Sequence, residues 1–163
     1  MNPEIVPLAE SHFEGVRQAL DVVAREKRYL AFTQAPAMEE AYAFYRNILQ
    51  DDLCLYVALV SGKVVGWCDV LPTRGEARAH IGIFGIGLVG SARHQGIGAL
   101  LTQAALTKAW SKGYSRIELS VRTDNLNAKA LYERMGFRVE GLNKNAFLID
   151  GMFYDSYSMA LLR

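Results

Sequence analysis

The stretch Arg93-His94-Gln95-Gly96-Ile97-Gly98-Ala99-Leu100-Leu101 decides how this chain is read. It has the pattern Arg-x-x-Gly-x-Gly. An apolar run over 80–89 precedes it, and a long apolar helical segment over 97–112, closed by Gly113, follows it. A strand, a tight turn and a helix N-terminus in that order present backbone N–H groups with no partner inside the helix. The aligned peptide dipoles put partial positive charge at the same place. A pyrophosphate seated there satisfies both. Gly96 and Gly98 carry no Cβ, so a phosphate can approach the main chain closely. The predicted donors are the backbone amides of His94, Gln95, Gly96, Ile97, Gly98 and Ala99. Arg93 either pairs with a phosphate or anchors the loop, and the His94 side chain reads as a solvated loop residue rather than a catalyst.

Outward from this turn the apolar period divides the chain cleanly. Residues 4–8 read as a short extended start. Ser11 reads as a helix N-cap with Glu14 as its capping-box partner, and Phe13, Val16, Leu20 and Val23 recur at helical spacing. A loop over 29–36 leads to a second helix over 38–49. The period then changes to two, and the runs 53–60 and 64–71 flank Ser61-Gly62-Lys63 as a hairpin. Past the long helix come a strand over 116–122, a short helix over 126–135 closed by Gly136, and two strands over 137–148 and 152–161 about Asp150-Gly151. The order is βααβββαβαββ, an α/β (α+β) arrangement in one domain. Strands linked through helices are expected to pair parallel and hairpins antiparallel.

Composition narrows the function. The 163 residues are 51% hydrophobic and 21% charged, with a formal net charge of +1. That balance offers no general attraction to nucleic acid or to an anionic membrane, so neither is expected as a partner. Cys54 and Cys68 lie in apolar strand runs, too few for a disulfide framework and without metal-ligand spacing, and they read as structural thiols. No metal site is expected. The start Met1-Asn2-Pro3-Glu4 has no basic and apolar leader pattern, and a cytoplasmic setting is expected.

A second motif, Asn125-Leu126-Asn127-Ala128-Lys129-Ala130-Leu131-Tyr132-Glu133-Arg134-Met135-Gly136-Phe137, stands one helix and one strand after the glycine turn. Together the two resemble the GNAT superfamily of acyl-CoA-dependent N-acetyltransferases. The ending 150–161 is similar to the branch with ribosomal-protein and amino-acid N-acetyltransferases. The resemblance implies a mixed, mostly antiparallel sheet with splayed central strands flanked by helices. It also implies acetyl-CoA as co-substrate, a primary amine of an amino acid, small amine or protein N-terminus as acceptor, and direct attack in a ternary complex; a homodimer is common among relatives. By the same resemblance the backbone of Ile86, Gly87 and Leu88 receives the pantetheine and thioester carbonyl, Asn125 bonds the pantetheine, and Tyr132 protonates the departing thiolate. As residues alone, Asn125 is a good N-cap and Tyr132 a plausible core aromatic.

Two competing patterns fall away. Gly85-Ile86-Gly87-Leu88-Val89-Gly90 spells Gly-x-Gly-x-x-Gly, but its glycines lie inside the strand rather than at a strand-to-helix turn. A glycine-rich strand instead marks a bulge or the close approach of another molecule. A nucleotide-dependent transferase lacks the Gly-Lys-Ser/Thr ending. Where relatives place a catalytic glutamate, this chain has Gly82 and Ser120, neither of which is a base. His80 and Glu118 are the candidates nearby, His80 by its ordinary pKa and Glu118 by sharing a strand face with Ser120. The missing glutamates also keep open a non-catalytic acyl-CoA-binding or sensing module.

Overall fold

The computed structural model describes residues 2–163, so Met1, the first residue of the leader reading, lies outside the described residues. The elements are β1 (Glu4–Pro7), α1 (Phe13–Arg25), α2 (Met38–Gln50), β2 (Cys54–Val60), β3 (Lys63–Pro72), β4 (Ile81–Leu88), α3 (Ile97–Ser111), β5 (Arg116–Arg122), α4 (Leu126–Arg134), β6 (Arg138–Ile149) and β7 (Met152–Leu162). This is the order read from the apolar period. The hairpin turns place Ser61 at φ 51° with Gly62 at 78°, and Asp150 at 50° with Gly151 at 79°. Two successive positive φ values match the twist of the flanking strands. Gly113 and Gly136, at φ 96° and 103°, end α3 and α4 as expected.

One seven-stranded sheet runs β1-β2-β3-β4-β5-β7-β6. Every pairing is antiparallel except β4 with β5, and that contact covers only Ile81 with Arg116, Gly82 with Ile117 and Ile83 with Glu118. Beyond Ile83, β4 stays on β3 while β5 stays on β7, and the two central strands part. The resemblance implied this splay.

The parallel-pairing expectation holds for β4 and β5 alone. β1 and β2 are antiparallel because two helices intervene: α1 carries the chain back and α2 carries it forward again. β7 inserts between β5 and β6. The Ser11 cap is also corrected. A 3-10 turn over Glu10–His12 precedes α1, and the Ala9 N–H donates to His12 Nδ1 at 3.0 Å. Glu14 instead accepts from the Tyr42 hydroxyl at 2.7 Å and from Gln18 at 2.9 Å, tying α1 to α2.

Apolar residues fill both faces of the sheet. On one, Ile97, Leu101, Ala105 and Ala109 of α3 form an i, i+4 ridge, fully buried against Val70, Phe84, Ile117 and Leu119. On the other, α1 and α2 cover Leu55, Val57 and Trp67. Both cysteines are buried and free. Loss of hydration pushes the Cys54 thiol up to about 11 and the Cys68 thiol well above its ordinary range, so both stay protonated.

The glycine-rich β4 has a specific cause. In the β3–β4 ladder each glycine makes room for a side chain on the facing strand, directly across or, for Gly82, on the diagonal. A Cβ on Gly82 would overlap Val70, one on Gly87 would overlap the Trp67 ring, and one on Gly66 would overlap Leu88; one on Gly85 would lie 3.1 Å from Asp69 Oδ1. Within the chain, the close approach that a glycine-rich strand marks is made by β3. Replacing Gly87 with Ala should cost about 1–3 kcal/mol, the usual penalty for overpacking. Gly141→Ala, where a Cβ meets nothing within 4 Å, should change stability by under about 0.5 kcal/mol. Denaturant unfolding of both variants against the parent checks this.

Candidate active site

The parting of β4 and β5 opens a cleft of about 330 Å³ between the end of β4, the glycine turn, β5 and α4. Its wall contains Ile86, Gly87 and Leu88, then Arg93, His94, Gly96, Gly98 and Ala99, and across the gap Asn125 and Tyr132. Most of the residues singled out in the sequence therefore meet around one space.

The turn leaves main-chain donors without a partner inside the helix. Gly96 is the N-cap of α3 with φ 81°, and a Cβ there would meet nothing within 4 Å. The first intrahelical bond runs from the Leu100 N–H to the Gly96 carbonyl at 3.2 Å, so the N–H groups of Ile97, Gly98 and Ala99 precede it. His94 also sits in the left-handed region, φ 61°. Gly98 lets α4 come close: a Cβ on it would lie 3.3 Å from Leu131 and 3.6 Å from Leu88. An open glycine cradle facing a cleft of this size suits a diphosphate with a long narrow arm. The Ile97 side chain is buried in the core, and the Gln95 amide donates back to the Ser91 carbonyl at 2.8 Å, so only their main chains are free for a ligand.

Arg93 resolves as the anchor of the loop. Its guanidinium donates to the Leu88 carbonyl at 3.0 Å and to Glu26 at 2.6 Å, and it lies 4.5 Å from the centre of the Tyr29 ring. Tyr29, at the start of the loop over 29–36, also lines this cleft.

Asn125 caps α4, its Oδ1 accepting from the Ala128 N–H at 3.3 Å. The cap occupies the oxygen and leaves the amide N–H₂ for another partner. The loop before it is pinned by Arg122, only 5% exposed. Arg122 bonds both Asp124 oxygens at 3.0 and 2.6 Å and the Lys27 carbonyl at 2.9 Å, and it stacks 3.7 Å from the Tyr154 ring centre. In the sequence Arg122 shows only as a charge ending an apolar strand.

Tyr132 is 7% exposed and packs edge-on against Phe84, with ring centres 5.6 Å apart, and against Phe137. Burial first, and the nearby Cys68 second, push its phenol far above the ordinary range. It therefore stays protonated and can act only as a donor in the cleft.

The two base candidates do not come to this space. Glu118 is half-buried but paired with Arg116 at 2.7 Å and Arg78 at 3.7 Å. His80 lies exposed before β4, at the end where β4 and β5 are still paired; its carbonyl accepts from the Ser115 and Arg116 amides at 3.0 and 3.2 Å. The nearest acid by strand register is Asp69 of β3, whose carboxylate rests over Gly85, one residue before Ile86 of the cleft wall. Its signal in the sequence was a single acid inside the apolar run 64–71.

Comparison with known proteins agrees with this geometry. The acetyltransferase (GNAT) family profile matches residues 18–137. An L-amino acid N-acetyltransferase, AaaT, from Escherichia coli K12 is 27% identical over 166 residues, covering 100% of both chains. A ribosomal-protein-alanine N-acetyltransferase from Brucella melitensis superposes with a TM-score of 0.92 at 20% identity, over 98% of this chain and 99% of that one. A phosphinothricin acetyltransferase from Sinorhizobium meliloti, solved with acetyl-CoA, superposes with a TM-score of 0.91 at 19% identity, over 99% and 89%. With the profile spanning well over half of its length and the glycine turn, splayed strands and capped α4 in place, this chain belongs to the acetyltransferase (GNAT) family.

Proposed function

We propose that this acetyltransferase moves the acetyl group of acetyl-CoA onto the α-amino group of a free amino acid, by direct attack within a ternary complex. The observation that carries the reading is the single cleft that joins the glycine turn, the free end of β4 and Tyr132. The full-length likeness to an L-amino acid N-acetyltransferase supports the choice of acceptor.

Acetyl-CoA supplies an activated acetyl thioester. The chain's own groups do the rest. The amides at the start of α3 hold the diphosphate, and the Arg93 clasp keeps that turn in place. Main-chain N–H groups of β4, freed where β5 leaves, face the thioester carbonyl and polarise it. Holding both reactants in one cleft removes much of the entropic barrier. The Tyr132 hydroxyl donates to the sulfur as it departs. An acceptor reaches the sheet under α1 and α2, whose connecting segment is tethered by the Arg17 bond to the Pro36 carbonyl at 3.1 Å and by the Ala35 N–H bond to Asp21 at 2.9 Å. That roof favours a small acceptor over a protein segment. Two buried free thiols fit a reducing, cytoplasmic setting.

Tyr132→Phe should lower kcat by about 10²-fold with acetyl-CoA affinity unchanged, since only the donor is lost. Gly98→Val should push α4 away and weaken acetyl-CoA binding by at least about tenfold, roughly 1.4 kcal/mol. Steady-state kinetics and calorimetry read the two separately. A thiol-release assay over amino acids, alkyl amines and peptide N-termini tests the acceptor: free amino acids should give the highest kcat/KM. Tight acetyl-CoA binding with no thiol release on any amine would mark a sensing module instead.

A further inference from the structure

We propose that the Asp69 carboxylate is the general base that takes the proton from the incoming amine, working on the face of the sheet opposite Tyr132. The proposal rests on the acetyl-transfer reading above.

The strands dictate the placement. In the β3–β4 register Val70 faces Phe84 and Cys68 faces Ile86, and these belong to the core under α3 and α4, where Tyr132 sits on Phe84. Asp69 lies between Cys68 and Val70 and so points to the other face, toward α1 and α2, beside Leu55. There its Oδ1 reaches over Gly85, a position with no side chain to block it. Gly85 is two residues past Ile83, the last residue of β4 paired with β5, and is followed by Ile86 of the cleft wall. The carboxylate therefore stands where the gap begins. Base and acid are then separate groups that do not compete for one proton: Asp69 on the face of the sheet under α1 and α2, Tyr132 on the face under α3 and α4.

The carboxylate is also uncommitted. Among the described residues, no cation or hydrogen-bond donor pairs with it, whereas Glu118, Glu14 and Asp124 are all held by partners. A half-buried carboxylate with no protein partner is costly, and such groups concentrate at functional sites. Loss of hydration raises its pKa to about 7, the range in which a base works best near neutral pH. The titratable groups that feel its charge are Tyr45 of α2, Cys54 of β2 and Cys68 of β3, and Tyr45 in turn feels Arg17 of α1 and Tyr42. The tyrosines and thiols stay neutral through this range, so Asp69 titrates without competition from them.

The step balances as follows. The acceptor arrives as an ammonium and gives one proton to Asp69, leaving a neutral amine and a protonated carboxyl that later releases the proton to solvent. The nitrogen lone pair forms the C–N bond and the C–S bond breaks with its electron pair on sulfur. Sulfur takes a proton from Tyr132, which is reprotonated from solvent, and the amide nitrogen loses its second proton to solvent.

In the parent protein, carboxyl-carbon NMR should show one aspartate titrating near pH 7, and Asp69→Asn should remove that signal. The variant should lose the limb of kcat/KM near pH 7 and fall about 10²- to 10⁴-fold at pH 8, with acetyl-CoA affinity by calorimetry within about twofold. Folding supplies a readout independent of turnover. Because the folded pKa is raised, the parent pays for ionising Asp69 as pH rises from about 4 to about 7. Asp69→Asn should therefore raise Tm by several degrees at pH 8 and leave it unchanged near pH 4. An aspartate spectrum with no midpoint above about 5, or a variant that keeps the parental rate and pH profile, overturns the proposal. A parent that fails to bind acetyl-CoA overturns the acetyl-transfer reading along with it.

Discussion

Everything in this structure turns on how briefly β4 and β5 touch. They share three residue pairs and then separate, each held by its outer neighbour. A parallel pair normally continues until one strand ends, because every unpaired N–H and C=O would otherwise lose its partner. Here the inner edge of β4 from Phe84 onward is left without a strand beside it. The cleft borders that edge, and the groups a sheet would have used internally face open space.

The two sides of the gap are built differently. On the α3 and α4 side, geometry is fixed by close packing: Gly98 against Leu131, Phe84 against Tyr132, and the Asn125 cap over Ala128. On the α1 and α2 side, polar links between helices dominate, such as Glu14 with Tyr42 and Arg17 with the Pro36 carbonyl. The Arg93 clasp joins the two sides, because Glu26 and Tyr29 follow α1 while Arg93 belongs to the glycine turn before α3.

Much of this was legible before any coordinates. The element order followed from apolar period and turn chemistry, and one wall of the cleft from local signals: Gly96 at a left-handed position, and Asn125 opening a helix. What the sequence hid was lateral. β7 inserts between β5 and β6, and nothing in either strand's pattern specifies its neighbour. Ser11 had the right type and spacing for a cap, but the chain made a 3-10 turn first. His80 and Glu118 were chosen by closeness along the chain to positions 82 and 120, whereas Asp69 comes from the adjacent strand and meets Gly85 only through register. Arg122 and Arg93 were invisible as clamps because their partners lie 95 and 67 residues away.

The interlock of β3 with β4 carries one more implication, for how such a chain changes over generations. At three rungs a missing side chain on one strand is the socket for a side chain on the other, Gly66 for Leu88, Gly87 for Trp67 and Gly85 for Asp69, and Gly82 receives Val70 on the diagonal. A single codon change that adds bulk in a socket collides with its occupant unless the occupant shrinks as well. Descendants of this sequence should thus alter these positions in couples, and the two strands should be inherited as a matched set.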